Sequence, residues 1–211
     1  MSEPRAWWLD KKVKKTLKAL TENGFQTFLV ATKGEALEKV LSLIPLNANV
    51  GIGGSITIRE INLIEALRAK EHVIFEHWSQ PEENQVEVMR KQLTSDVFVA
   101  SCNAVTEDGK LINVDNVGNR VASIIFGPKK VILIVGVNKI VKDLDEGLKR
   151  IKNIAAPANA KRRRAKTPCT VTGECADCNS PQRICRVTTI IERKPPLTDI
   201  TVILVGESLG Y

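Results

Sequence analysis

The run from Lys130 to Gly136 constrains the fold more than any other part of the chain, because no residue after Lys130 in it is polar. Side chains of a β-strand point alternately to the two faces of a sheet, so a strand that is apolar throughout must be covered on both faces. Strands of this kind lie inside the parallel sheets of α/β proteins. The run therefore predicts a strand with helices on both sides of its sheet.

Strand-like runs and amphipathic helical segments alternate along most of the chain. In the first segment, apolar residues recur every three or four positions from Trp8 to Leu20, and lysines fill the other side. The predicted helices are 5–23, 33–43, 58–69, 82–93, 119–125 and 144–155, and the predicted strands are 25–31, 48–52, 73–75, 97–105, 111–114, 130–136, 187–192 and 200–206. This alternation predicts a layered α/β fold with a mainly parallel sheet flanked by helices.

The length and composition favour one globular domain over residues 1–211. A chain of 211 residues that is 43% hydrophobic can bury a sizeable core. Within it, the basic segment 157–168 is predicted to be a linker, and 169–185 a cysteine-rich loop inserted before the last strands. The apolar runs are too short to span a bilayer, and the N-terminus lacks the apolar segment of a signal peptide. We therefore expect a cytoplasmic protein that does not enter a membrane.

The net charge of +7 is concentrated in residues 129–196, which hold 16 Lys and Arg against 6 Asp and Glu. The densest run, 161–166, could meet phosphate groups or an acidic partner. A solvated connector explains it more simply. Because few aromatic residues accompany the run, stacking on single-stranded bases has little support, and nucleic acid is a disfavoured partner.

Two polar segments that contain glycine follow strand-like runs. The first is the turn 51–57, and the second is 105–120, which combines acids, asparagines and an arginine. Burying such groups costs free energy unless each finds a partner, so each segment is either a polar loop or the wall of a site. Because ligands bind beyond the carboxyl ends of parallel strands, we expect both segments to face one cleft.

Glu107 is the candidate catalytic residue in the second segment. It follows the predicted strand 97–105, and a carboxylate at a strand end can act as a general base or a nucleophile. The alternative is a plain hairpin turn, which the Asp108-Gly109 pair favours.

Farther along, the polar group formed by Asp115, Asn116, Asn119 and Arg120 suits recognition of an anion. Arginine offers a planar fork for carboxylate or phosphate, and Asn119 and Arg120 open a predicted helix, whose N-terminus favours anions. In the structural alternative, Asp115 or Asn116 caps that helix and Arg120 pairs with an acid. The turn 51–57 has glycines that let a ligand approach the backbone, but it carries no dinucleotide or P-loop fingerprint.

Four of the five cysteines lie close together in the sequence, with the spacing C-x₅-C-x₂-C-x₆-C from Cys169 through Cys175 and Cys178 to Cys185. Thiolates at such spacing suit one tetrahedral metal ion, such as zinc, or one iron–sulfur cluster, and the spacing matches neither the common zinc-finger pattern nor the bacterial ferredoxin run. Disulfides are the competing explanation but are rare in a reducing cytosol. The fifth, Cys102, lies in a strand-like context typical of a small core residue.

Three motifs, in order, resemble the LUD domain family, which is named for lactate utilisation. They are 51–55 (GIGGS), 103–109 (NAVTEDG) and 115–120 (DNVGNR). The resemblance implies a fold like that of sugar-phosphate isomerases and CoA transferases, the NagB/RpiA/CoA-transferase-like group. Some members are linked to oxidation of L-lactate to pyruvate beside iron–sulfur partner subunits. In the related enzymes a strand-end carboxylate acts as base or nucleophile, and Glu107 is the position here that could match it.

These observations lead to two hypotheses. In the first, a LUD-type protein binds a small anionic metabolite, such as a 2-hydroxy or 2-keto acid, a sugar phosphate or a CoA derivative. Its predicted ligand-binding residues are Gly53, Gly54, Ser55, Asn103, Asp115, Asn119 and Arg120. In the second, the chain is an electron-transfer or assembly subunit whose cysteine loop carries an iron–sulfur cluster or zinc and docks a redox partner subunit. The sequence leaves open whether the protein turns over a substrate and whether it forms a homo-oligomer.

Overall fold

A computed structural model describes residues 3–211 as a three-layered α/β structure with a second, smaller sheet. The strands are β1 (Gln26–Val30), β2 (Val50–Ile52), β3 (Ile74–Glu76), β4 (Val97–Ala100), β5 (Ala104–Thr106), β6 (Leu111–Asp115), β7 (Lys130–Gly136), β8 (Ile140–Val141), β9 (Val187–Ile191) and β10 (Asp199–Val205). The helices are α1 (Glu3–Glu22), α2 (Lys33–Leu43), α3 (Ile56–Glu60), α4 (Leu63–Ala69), α5 (Glu82–Gln92), α6 (Asn119–Ile125), α7 (Leu144–Arg150), α8 (Ala156–Arg162) and α9 (Cys169–Thr172).

The main sheet has six parallel strands in the order β1-β10-β7-β4-β2-β3. Side chains of β7 alternate between its two faces. Ile132 and Ile134 pack with residues of α2, α3 and α4, whereas Val131, Leu133 and Val135 pack with residues of α1 and α6. The apolar strand is thus covered on both faces, and the predicted α/β class with a parallel sheet and flanking helices is confirmed.

The second sheet has the order β8-β5-β6-β9, with β5 parallel to β8 and β6 antiparallel to its two neighbours. β5 begins four residues after the end of β4, and β8 begins four residues after the end of β7. Both connections leave the carboxyl ends of main-sheet strands. The small sheet therefore starts at that edge of the main sheet, and a cleft forms where the two sheets meet.

Two predicted elements are wrong in the same way. The predicted helix 58–69 is two helices, α3 and α4, separated at Asn62, whose φ of +56° interrupts regular helix. The predicted strand 97–105 is likewise two strands, β4 and β5, which belong to different sheets. An apolar run shows that its residues are buried, but it does not show where one helix or strand ends and the next begins. Neither break could therefore be predicted from the sequence.

Helix α8 occupies much of the first half of segment 157–168, which the sequence predicts to be a linker. Residues Ile151–Ala155 form a wide π turn that joins α7 to α8, and the Ala156 N–H donates to Ile151 O. Pro157 has no N–H and its ring crowds the preceding turn, so an ordinary α-helix would not pass through it unchanged. The wider turn accommodates the proline. Within residues 3–211, no helix has a stretch long and apolar enough to cross a bilayer.

Candidate functional site: a cationic cleft at the carboxyl edge of the main sheet

A cleft with an inner volume of about 150 Å³ lies beyond the carboxyl ends of the main-sheet strands. Residues that follow five of these strands line it: Gly54 to Thr57 after β2, His77 and Trp78 after β3, Ser101 to Asn103 after β4, Lys139 after β7, and Gly210 and Tyr211 after β10. The segment 114–120 and helix α8 complete the wall. The two polar segments predicted to share a cleft therefore do so.

Most of the predicted ligand-binding residues line this cleft, namely Gly54, Ser55, Asn103, Asp115, Asn119 and Arg120. Gly53 lies behind it, and its N–H donates to Val99 O at 2.9 Å. A Cβ on Gly53 would lie 3.0 Å from the Cβ of Ala100, so this glycine serves packing between strands. The Gly53 backbone is therefore committed to the sheet.

Arg120 is a structural residue of the cleft wall. Its guanidinium is buried, and each of its N–H groups donates within the protein. The acceptors are Ser101 O, Val114 O, Asn103 Oδ1, Asn113 Oδ1 and Asp115 Oδ1. Asp115 also accepts the Val121 N–H in the first turn of α6. The structural alternative is thus the observed one: Asp115 supports the helix and neutralises Arg120, and the N–H groups of Arg120 are all used within the protein.

Lys139 is a buried cation that has no carboxylate partner among the described residues. Only 3% of the residue is exposed, and its Nζ donates to Thr57 Oγ1 at 2.8 Å and Ser101 Oγ at 2.9 Å. No carboxylate oxygen of residues 3–211 forms a salt bridge with it. Burial lowers the pKa of Lys139 to about 8. An ammonium group in this setting lacks the charge partner that buried cations ordinarily have.

His77 is buried beside the cleft. Its Nδ1 lies 3.1 Å from the Gln92 amide Nε2, which also donates to Ile52 O and Phe75 O. Burial lowers the pKa of His77, and the nearby arginines 163, 59 and 162 act in the same direction against Glu76. His77 is therefore a neutral residue at pH 7.

One wall of the cleft is a stack of cations on an aromatic ring. The Arg162 guanidinium lies 3.9 Å from the centroid of Trp78, and that of Arg59 lies 4.8 Å from it. A Cβ on Gly54 would lie 2.5 Å from Trp78 Nε1, so a glycine lets the indole approach the turn after β2. Burial lowers the pKa of Arg162, Tyr211 raises it, and Arg163 and Arg59 lower it further. The wall is thus strongly positive.

The charges around the cleft do not balance. Its lining includes four cations, Lys139, Arg120, Arg162 and Arg163, and a single acid, Asp115, which Arg120 neutralises. A second space of about 500 Å³ adjoins the first, shares Trp78, Arg162 and Arg163, and adds Arg59, which pairs with Glu76 at 3.2 Å. The cleft and its mouth therefore form one electropositive site.

Glu107 does not line this cleft, so its predicted place there is corrected. It follows β5 in the small sheet, where its carboxylate lies 2.8 Å from Lys15 Nζ and 3.9 Å from Lys12 Nζ, both on α1. Its N–H donates to Val141 O of β8. The physical reason is the break after β4: the chain crosses to the second sheet before Glu107, which carries that residue away from the edge of the main sheet.

The four cysteines of 169–185 lie around one small cavity, of about 20 Å³, beside α8. All four are half-buried free thiols, whereas Cys102 is buried and lines the cleft. Among residues 3–211, no three His, Cys, Asp or Glu side chains lie close enough together to hold a metal ion as they stand.

Sequence reasoning missed the residues that make the cleft positive. Lys139 lies three residues after the apolar run 130–136, in the turn after β7, so the strand-end rule applied to that run would have indicated it. Arg162 and Arg163 belong to the run predicted to be a solvated connector, and no local signal distinguishes them from their neighbours. Only the contact between α8 and Trp78 places them in the wall.

Comparison with known proteins agrees with the motifs. The family model of the LUD domain matches residues 13–205 of this chain, including both segments of the cleft wall. The chain belongs to the LUD domain family. The resemblance predicted from the three motifs is therefore confirmed over nearly the whole length of this LUD domain.

This LUD domain also has the fold of a known structure, a crystal structure of a DUF162 family protein from Deinococcus radiodurans. The two share 14% sequence identity with a TM-score of 0.56, and the match covers 93% of this LUD domain and 98% of the other chain. At that identity the likeness concerns the fold alone. No curated protein matches this LUD domain.

Proposed function

We propose that this LUD domain binds a small organic anion in the cleft, with its carboxylate or phosphate group beside Lys139. One observation carries the proposal, namely a buried ammonium group that donates to two hydroxyls and has no carboxylate partner among the described residues. Holding an unpaired charge away from water is unfavourable, and an anionic ligand would remove that penalty. The third N–H of Lys139 is the group that would donate to it.

The remaining charges of the cleft support the same ligand class. The positive charge of Arg163 lowers the pKa of Arg162, and an anion beside the two would relieve that repulsion. Arginine also binds carboxylate and phosphate through two parallel hydrogen bonds. Arg162 and Arg163 would therefore hold a second charged or polar end of the ligand.

The inner part of the cleft is small and therefore favours a small ligand. A volume of about 150 Å³ suits a three-carbon acid or a single phosphate group. The imidazole ring of His77 and the amide of Asn103 could donate to a hydroxyl or keto oxygen of such an acid. Because the family is named for lactate utilisation, L-lactate and pyruvate are the first candidates. A sugar phosphate or a CoA derivative would extend into the arginine-lined mouth.

Isothermal titration calorimetry at pH 7 with L-lactate, pyruvate and inorganic phosphate tests the proposal. We expect at least one of these anions to bind with one-to-one stoichiometry. Lys139→Met should weaken that binding by roughly 10- to 100-fold, the equivalent of about 1.5–3 kcal/mol for a hydrogen bond to a charged group.

The matched control is Lys142→Met, which removes an exposed lysine from the same part of the chain without touching the cleft. Its affinity should equal that of the unmodified protein. Equal binding by the Lys139 variant, or the absence of binding by all three anions, would contradict the proposal.

A further inference from the structure

We propose that Cys169, Cys175, Cys178 and Cys185 together bind a single thiophilic divalent ion, of which Zn²⁺ is the usual example. The four residues come from three separate stretches of the chain, namely the start of α9, the turn after it and the segment before β9. They nevertheless line the same cavity. Four thiols around one space, with a pair two residues apart, form the ligand set of a tetrahedral structural ion.

Arg183 holds the loop in the arrangement that brings these cysteines together. Its Nη1 donates to Cys178 O at 2.7 Å and its Nε donates to Cys185 O at 2.8 Å. Its Nη2 pairs with Asp177 at 2.7 Å. One side chain thus connects the C-x₂-C turn to the last cysteine, and the loop is built around its cysteines rather than around large apolar side chains.

The C-x₂-C turn is tight. Asp177, between Cys175 and Cys178, adopts a φ of +44°, a left-handed conformation that Asp and Asn take more often than other residues with side chains. Its carboxylate pairs with Arg183, and both cysteines of the turn border the same cavity.

The cavity as it stands has room for a single ion. Its volume of about 20 Å³ is close to that of one water-sized sphere, roughly 10–15 Å³. The cysteines do not yet stand at bonding distance from a common point. Metal sites commonly form only as the ion binds, so the cysteine ligands would move to complete this one.

The cysteine site is separate from the anion cleft. Ala156, Pro157 and Ala160 of α8 border the cysteine cavity, whereas Asn159 and Arg162 of the same helix line the cleft. The metal proposal therefore does not depend on the anion proposal, and either can fail alone.

The test uses the full-length protein purified without oxygen, in two measurements. Elemental analysis should give one zinc, or another thiophilic divalent ion, per chain. Titration of the metal-free reduced protein with Co²⁺ should produce the intense sulfur-to-cobalt absorption of four-thiolate coordination. Replacement of any one of the four cysteines by serine should weaken Zn²⁺ binding at least roughly tenfold.

Cys102→Ser is the matched control, because it removes the one cysteine that lies outside the cavity, and it should retain full metal binding. If a serine variant of the loop fails to fold, the absorption of the unmodified protein with Co²⁺ still decides the matter. Iron with acid-labile sulfide in the purified protein would overturn the single-ion assignment. Two disulfides in the anaerobic protein, or no metal in either measurement, would overturn the site.

Discussion

Replacing Lys139 by methionine should stabilise this protein at neutral pH. Methionine has nearly the length of the lysine stem, so the buried space stays filled. The change removes an ammonium group that is 3% exposed and whose only hydrogen-bond acceptors among residues 3–211 are two hydroxyls. A binding residue held in this way lowers the stability of the unliganded protein, which is a known trade-off at functional sites.

The magnitude follows from the pKa of Lys139. Burial lowers it from 10.5 to about 8, a difference equivalent to about 3 kcal/mol at roughly 1.4 kcal/mol per pH unit. Because the pKa is lower in the folded state, the unfolded chain binds more protons between about pH 8 and 10.5, so this contribution to stability rises with pH across that window. Below pH 8 the folded protein carries the whole penalty. The variant should therefore be more stable by up to about 3 kcal/mol at pH 7, and its advantage should shrink toward pH 10.5.

Urea denaturation at pH 7, 8, 9 and 10 measures this directly, in reducing buffers free of phosphate and carboxylates. Such anions would bind the folded protein and hide the penalty. The quantity of interest is the difference in unfolding free energy between the unmodified protein and Lys139→Met, because the other titrating groups cancel in it. Lys142→Met should give a difference near zero at every pH. A Lys139 variant that is less stable at pH 7, or a difference that does not change with pH, would refute the reasoning.

Three further predictions concern other parts of the cleft and its surroundings. Arg120→Met should lower the unfolding free energy by about 3–5 kcal/mol in urea denaturation, because it leaves the buried Asp115 carboxylate unpaired. The double variant with Asp115→Asn should recover part of that loss. A double variant less stable than Arg120→Met alone would show that the pair is not coupled. Gly54→Ala should displace Trp78, which tryptophan fluorescence would report, with a loss of about 1–3 kcal/mol in stability and weaker anion binding. Glu107→Gln should change stability by less than about 1 kcal/mol, since partly exposed ion pairs contribute little, and should leave the anion dissociation constant unchanged in calorimetry.

The sequence by itself determined the layers of the fold and the position of the cleft. The apolar run 130–136 predicts a strand covered on both faces, and β7 is such a strand. The polar segments 51–57 and 105–120 follow strands, and parallel strands bring their carboxyl ends to one edge, so their shared cleft could be foreseen. These inferences succeed because strand and helix periodicity are local properties of the chain.

Only the tertiary structure decided which charged groups remain available for a ligand. Arg120 and Lys139 are both buried cations at the cleft, yet one finds a carboxylate and four further acceptors while the other finds two hydroxyls. Glu107 follows a strand as predicted, but the passage of the chain to a second sheet pairs it with α1. The partners of a charge come from residues distant in sequence, and their positions depend on the packing of the whole chain. Composition and spacing therefore identify groups able to bind an anion, whereas the fold determines which of them are still unpaired.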